Sequence, residues 1–523
     1  MRLSRLLGIL LLLILVMFSL VFIPTFFIQR GPSETAPVTS TEEVVPSNVK
    51  SVLISPSKPL AAFFFKDKLV YINSTSFERE GVIYQRVLLH IFDLRSERVA
   101  SSIVIDEYPA SSPEALLCGD LERGIRGYTP RYRLLGYDGR YVYYERDCIL
   151  PREGVLEPLV YMVDVGTSTV ISSSISSRGV VAVGDGVAYK YLPDEGLIEA
   201  LEIASSKILW RHEYRPSYKF PPPPGQSPPG RTFIGAQIVG AWVASGSLII
   251  LLHDSDIAAG EMTLVYGLVV ASREGVRESF FEALRSKGTG WTYDIRAGFD
   301  GERIYVLSSI DPWGVEKGFA KLHSISLNGA VRELLSRSIV LEGIERGSLG
   351  MLVGEGRVAI IYVADRKLEA VTQTTTRIEA VAGGRGGAVT TVTETTTWTQ
   401  VVSVQVIEVL DREGNMILSR ELVRVPPYSL IGLKGDKVYL MSDTYIYALD
   451  PSTGLKQVAD LGYFRDSIGI VLPFIIPLIP FLPFITGETG ETAALATSVD
   501  GTIYIYTASN RGGYLMIIEE EGS

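Results

Sequence analysis

His253-Asp254-Ser255-Asp256, followed by Glu261, is the stretch of this chain best suited to coordination chemistry, with one imidazole and three carboxylates close in sequence. Closely spaced hard oxygen donors suit Ca2+, although the spacing is not that of an EF-hand loop and an ordinary Asp-rich turn is the alternative. The other histidines, His90, His212 and His323, are widely separated and read as strand or rim residues. His212-Glu213 lacks the second histidine of a zinc-protease helix, and neither a G-x-S-x-G elbow nor a P-loop is present. No catalytic residue is therefore assigned. No cofactor is expected beyond Ca2+ at His253, Asp254, Asp256 and Glu261.

Two further features carry covalent chemistry. Cys118 and Cys148 are the only cysteines. Outside the cell an oxidised pair is the default, and its loop would contribute about 3 kcal/mol, while two free thiols are the alternative. Asn73-Ser74-Thr75 is the only acceptor sequence for an N-linked glycan.

Repeated elements must position these residues. Eight times, a tight turn separates two apolar strands, at Lys66-Asp67, Asp138-Gly139, Asp185-Gly186, Ser245-Gly246, Asp300-Gly301, Glu355-Gly356, Gly435-Asp436 and Asp500-Gly501. A third strand, a polar turn and a fourth strand follow in seven of the units. Such a recurrence is the mark of a radial β array. The fold class expected is all-β, an eight-bladed β-propeller of four-stranded antiparallel blades, or seven-bladed if the irregular sixth unit is no blade. The eighth unit stops after Tyr514–Glu520, while Val49–Ser55 is strand-like and belongs to no unit. The two are expected to pair and close the ring, which removes an exposed sheet edge.

Strand order makes the ring directional. With strands a to d in each blade, the a–b and c–d turns lie on one rim, and the b–c loops and d–a crossings lie on the other. Every a–b and c–d turn is short. The long segments, 106–131, 147–157, 215–231, 366–400 and 462–492, all fall on the second rim, where binding residues concentrate on a rigid scaffold. Cys118 and Cys148 lie there on one blade. Insertion 366–400 is rich in Thr and Val around a glycine cluster, and reads as a projecting hairpin or as a glycosylated loop. Insertion 462–492 carries the uncharged run Ile468–Ile485, whose prolines at 473, 477, 480 and 483 exclude an ordinary spanning helix. It packs over the propeller, faces a partner or dips into a bilayer. The candidate contact residues are Ile468, Phe474, Ile476, Leu478, Phe481 and Phe484, with Trp398 of the Thr-rich insertion.

Val438-Tyr439, Ala448-Leu449-Asp450 and Thr453-Gly454 in the seventh unit, and Ala200-Leu201-Glu202 with Leu209-Trp210 in the third, resemble the quinoprotein-like (PQQ-like) propeller repeat. The resemblance implies an eight-bladed ring. It also implies either a quinone-dependent oxidoreductase or a non-catalytic scaffold. Five tryptophans in eight units, and the absence of adjacent cysteines, favour the non-catalytic branch.

The N-terminus assigns a compartment. Leu6–Ile28 is uncharged behind Arg2 and Arg5, which is long enough to cross a hydrocarbon core of about 30 Å with the basic end inside. Residues 1–28 thus read as a single-pass anchor, 29–48 as a Pro/Ser/Thr/Glu-rich stalk and 49–523 as an external propeller at the cell membrane. The net charge of −10 and the lack of a basic stripe exclude a nucleic-acid partner. Scarce Asn and Gln fit a hot-growing source. The expectation is a binding or scaffold module that engages a surface or membrane protein, or a glycan, through its long-loop rim. The alternatives are an oxidoreductase or hydrolase with its site over the central channel, and a subunit of a cell-surface or secretion assembly.

Overall fold

A computed structural model describes residues 49–110, 131–147, 158–222, 230–258, 260–288, 290–312, 317–340, 349–354, 356–381, 388–423, 428–442, 445–460, 493–499, 502–509 and 512–519. All of them fall in the unit Pro46–Ser523.

Strand Lys437–Ser442 shows why the chain folds as it does. Val438 and Leu440 enter one apolar core with Ile361 and Val409, whereas Tyr439 and Met441 enter another with Ile503 and Ile505. A strand that is apolar on both faces must be covered on both, and side chains alternate sides at every residue. The same double-sided burial recurs in strands Lys68–Arg79, Ser247–Ala258 and Arg303–Pro312. Eight four-stranded antiparallel sheets result, each with its strands in a–b–c–d order. Eight apolar cores lie between them, one at each joint between neighbouring blades. The innermost strands touch in sequence from Ala61–Phe65 round to Ala493–Val499, which in turn touches Ala61–Phe65. The protein is an eight-bladed β-propeller, and the irregular sixth unit is a blade.

Val49–Ser55 pairs antiparallel with Gly512–Ile518, setting Val52 opposite Leu515 and Val49 opposite Ile518. Val52 and Ile54 pack with Tyr71, Phe92, Tyr504 and Leu515 at the joint between the last blade and the first. The Tyr71 hydroxyl donates to the Ile54 carbonyl at 3.1 Å, and the Tyr504 hydroxyl donates to the Leu94 carbonyl at 3.0 Å.

The rim of a–b and c–d turns is stitched from blade to blade. Asp138 accepts from the Tyr143 hydroxyl in its own blade and from the backbone N–H of Asp185 in the next at 2.9 Å, while the Tyr143 oxygen accepts from the Gly186 N–H at 2.7 Å. Arg412 of blade six reaches back to Asp300 (3.1 Å) and Glu302 (2.8 Å) of blade five, and Arg303 donates to the Arg412 carbonyl. Arg357 donates to Asp436 of blade seven at 2.9 Å.

Candidate binding face

The opposite rim is built from strands that outrun their blades. In blade one the inner strand Ala61–Phe65 stops opposite Lys68–Ile72. Strands Lys68–Arg79 and Val82–Asp93 continue together until Arg79 faces Val82, and Arg98–Pro109 follows until Pro109 faces Tyr84. Seven residues, 73–79, thus carry a three-stranded flap about 23 Å past the ring. Its tip is Glu80-Gly81, with φ of 54° and 77°, the backbone that a tight two-residue hairpin needs. A Cβ at Gly81 would meet nothing within 4 Å, so the demand there is conformational and not one of space. Blade four does the same: Gln237–Ala244 ends opposite His253, while Ala258 faces Glu261 and Glu261 faces Lys287. Blade six goes furthest. Arg357–Val381 and Ala388–Asp411 stay in register from the blade out to Val381 opposite Ala388, with one bulge at Val363/Asp365.

The flap of blade one carries a platform of cations and rings. Phe77 and Tyr84 are opposite one another and stacked at 5.6 Å. Arg79 lies over Tyr84 and Arg86 over Phe77, each guanidinium 4.3 Å from the ring centroid, a cation–π geometry. Both arginines donate to Glu107 at 2.9 Å. The preceding residue, Asp106, alternates to the other face, where it accepts from the Tyr132 hydroxyl at 2.5 Å and lies 2.9 Å from Arg146 of blade two. Burial alone would lower the Arg146 pKa, but the Asp106 charge and the Tyr132 and Tyr161 hydroxyls raise it. Burial, reinforced by Asp106, also raises the Tyr132 pKa. Near neutral pH the Arg146 guanidinium is therefore a fixed cation and the Tyr132 hydroxyl a neutral donor, both directed at Asp106. With Asp106 and Glu107 both held by arginines, the geometry favours recognition over proton transfer. Ile83, which precedes Tyr84 and pairs with Glu78 near the tip of the flap, is 56% exposed.

In blade four the structure does not bring His253, Asp254, Asp256 and Glu261 together as a ligand set. Arg231, from the proline-rich crossing, donates to both Asp254 oxygens at 2.9 and 3.0 Å and to Asp256 at 3.1 Å. Asp254 also accepts from the Ile234 N–H at 2.9 Å. These bonds, Asp254 first, raise the Arg231 pKa. Glu261 lies 3.9 Å from Arg285. His253 sits against Tyr266 and Tyr293, and burial pushes its pKa down to about 4. The charge expected to draw Ca2+ is thus met by a guanidinium. Among the described residues no group of three or more His, Cys, Asp or Glu is arranged to hold a metal.

The glycan expected on Asn73 would have to attach to a buried side chain. Asn73 is 5% exposed; its amide donates to Ser55 Oγ at 3.3 Å and its oxygen lies 3.0 Å from His90 Nε2. A glycan on that nitrogen would displace the contact to Val49–Ser55. The four histidines lie in four different blades, on strands Val82–Asp93, Lys207–Glu213, Ser247–Ala258 and Gly318–Ser326. At the base of crossing 215–231, Lys219 bridges Thr232 and Arg231 lies over the Phe220 ring at 4.6 Å. Trp398 lies on strand Ala388–Asp411 opposite Val371. Cys118, Cys148 and the apolar residues Ile468, Phe474, Ile476, Leu478, Phe481 and Phe484 lie outside the described residues, as does the segment 1–28. Among the described residues no helix is long and apolar enough to cross a membrane.

Sequence reasoning missed Arg231 and the blade-one platform. The second left a signal in the repeated aromatic-x-Arg spacing, Phe77-x-Arg79 and Tyr84-x-Arg86, on either side of Glu80-Gly81.

No family model matches the chain, and no curated protein matches it. Among solved structures it is similar to the computationally designed Ika8 protein (10% identity, TM-score 0.40, covering 90% of this chain and 98% of that one). It is also similar to the β-propeller domain of the Trilobed protease from Pyrococcus furiosus (9%, 0.33, 90% and 95%) and to the dihydro-heme d1 dehydrogenase NirN (14%, 0.33, 95% and 80%). These likenesses carry no argument about activity.

Proposed function

We propose that this chain is a membrane-anchored, extracytoplasmic propeller that binds a protein or glycan through its extended rim. The observation that carries the reading is the one-sided extension of blades one, four and six, set against tight turns among the described residues of the other rim. On that rim Asp106, Glu107, Asp254 and Asp256 all lie in ion pairs with arginine, which favours a binder over an enzyme. The anchor is supported by the uncharged run Leu6–Ile28, a PQQ-like repeat by the motifs of units three and seven, and its non-catalytic branch by the five tryptophans and the lack of adjacent cysteines. Val49–Ser55, the first strand after the stalk, fastens the ring in this reading, supported by its register with Gly512–Ile518 and by the contact of Ser55 with Asn73.

Binding of the purified full-length chain to envelopes of its own cells tests the reading. Arg86→Ala with Ile83→Asp should weaken binding by about tenfold, equivalent to about 1.4 kcal/mol. Glu413→Ala, on the tight-turn rim, should leave it unchanged. Equal effects of the two changes, or none, would remove the case for the extended rim.

A further inference from the structure

The Thr-rich hairpin of blade six has two long edges, and they are not alike. Beyond Val363, whose carbonyl accepts from the Val340 N–H, and beyond Val404, the strands Arg357–Val381 and Ala388–Asp411 pair, among the described residues, only with each other. Over 366–381 the first strand carries Arg366, Lys367, Glu369, Arg377 and Glu379, whereas over 388–403 the second carries a single charge, Glu394. Neither stretch contains a proline, and the one bulge lies at its base. Charges, prolines and bulges are the means by which proteins guard an open edge. The first strand is guarded and the second is not. The register also sets Thr372, Thr374 and Thr376 opposite Thr397, Thr395 and Thr393, a flat run of strong β-formers.

We propose that two copies of this chain associate through the edge of Ala388–Asp411, the strands 388–403 pairing antiparallel about a two-fold axis into one four-stranded sheet. This deepens the binding reading above and rests on it only in using the same rim. Three observations select a second copy as the occupant. A two-fold axis brings the same edge to itself, so both unguarded strands are covered at once. It leaves the guarded strands outermost, so pairing stops at two and does not grow into a fibre. In a chain of net charge −10, the nearly uncharged edge is also where two copies meet with least repulsion. An edge of this length spans about 50 Å, and substantial overlap would form on the order of a dozen backbone hydrogen bonds.

Sedimentation velocity of the full-length chain in detergent tests this, with a dimer expected at micromolar concentration. Thr393→Lys, Thr395→Lys and Thr397→Lys together should weaken it by at least about tenfold, while Arg377→Ala with Glu379→Ala on the guarded strand should not. Thr395→Cys should give an intermolecular disulfide on oxidation. If the lysine variant fails to unfold cooperatively, a chain with 366–400 replaced by Asn-Gly takes its place and should be monomeric. A monomeric parent chain, or a dimer that survives loss of the hairpin, would overturn the proposal. Envelope binding by the shortened chain is read separately, so failure of the dimer and failure of the rim reading are distinguishable.

Discussion

At the rim of a–b and c–d turns, Asp138, Tyr143 and the Asp185-Gly186 backbone lock two blades together, and Arg412 locks two more through Asp300 and Glu302. At the opposite rim Asp106 also reaches Tyr132 and Arg146 of the next blade, but the other ion pairs serve the extensions themselves: Glu107 gathers Arg79 and Arg86 of its own flap, and Arg231 ties the crossing to Asp254 and Asp256. The same antiparallel strands therefore end in a seam at one side and in projections at the other. A seam contributes to ring stability. A projection that leaves Ile83 56% and Ile257 62% exposed contributes little, and in the proposed reading it is this rim that a partner covers.

The contrast is broken most severely by removing residues 1–55. Without Val49–Ser55 the eighth blade loses its outer strand and the joint packed by Val52 and Ile54. The melting temperature should fall by more than about 10 °C, a loss of several kcal/mol for a domain of this size. Excising 366–400 should leave the melting temperature nearly unchanged, and calorimetry of the two chains side by side checks the difference.

Acid should open the ring from within. Burial holds the His253 and His323 pKa values down at about 4, below an ordinary value near 6.5. The unfolded chain therefore binds these protons first. The stability that the neutral rings contribute is complete above about pH 6.5 and is lost as pH falls towards 4, on the order of 3 kcal/mol for each. Urea unfolding at neutral pH and near pH 4.5 should show the drop, and His323→Phe should make it shallower.

A smaller loss is expected from Arg231→Ala. It leaves Asp254 and Asp256 part-buried without their cation, at a cost of about 2–3 kcal/mol, visible as a lower urea midpoint. Arg231→Lys should recover only part of it, because the two-pronged geometry is lost. Tyr143→Phe, which removes one stitch of the seam, should cost about 1 kcal/mol by the same measurement. Arg86→Ala on the exposed platform should cost at most about 0.5–1 kcal/mol of stability, while lowering envelope binding.

The ring was legible in the sequence because its signals are local: a glycine or aspartate turn, an apolar run, a polar turn, repeated. Even the partner of Val49–Ser55 could be named, since only the eighth unit lacked a strand. The site was less legible because it depends on register. Asn73 sits in a surface acceptor motif, yet its strand runs beneath Val49–Ser55 and buries it. Asp254 and Asp256 look like metal ligands until a crossing folded back by the Lys219–Thr232 bridge delivers Arg231. The Thr-rich insertion showed its β propensity, but not that its charges fall almost entirely on one strand of the pair. That asymmetry becomes meaningful only once the ladder from Arg357–Asp411 to Val381–Ala388 is known.

Site-specific photo-cross-linking in the membranes of the protein's own cells tests the central claim most directly. A photoreactive residue at Ile83 or Ile257 probes the extended rim, and one at Glu413 or Thr453, both exposed, probes the seam. Adducts of defined mass from the first two positions and none from the second two are the predicted result. Adducts from the seam alone, or equal labelling of both rims, would contradict the account.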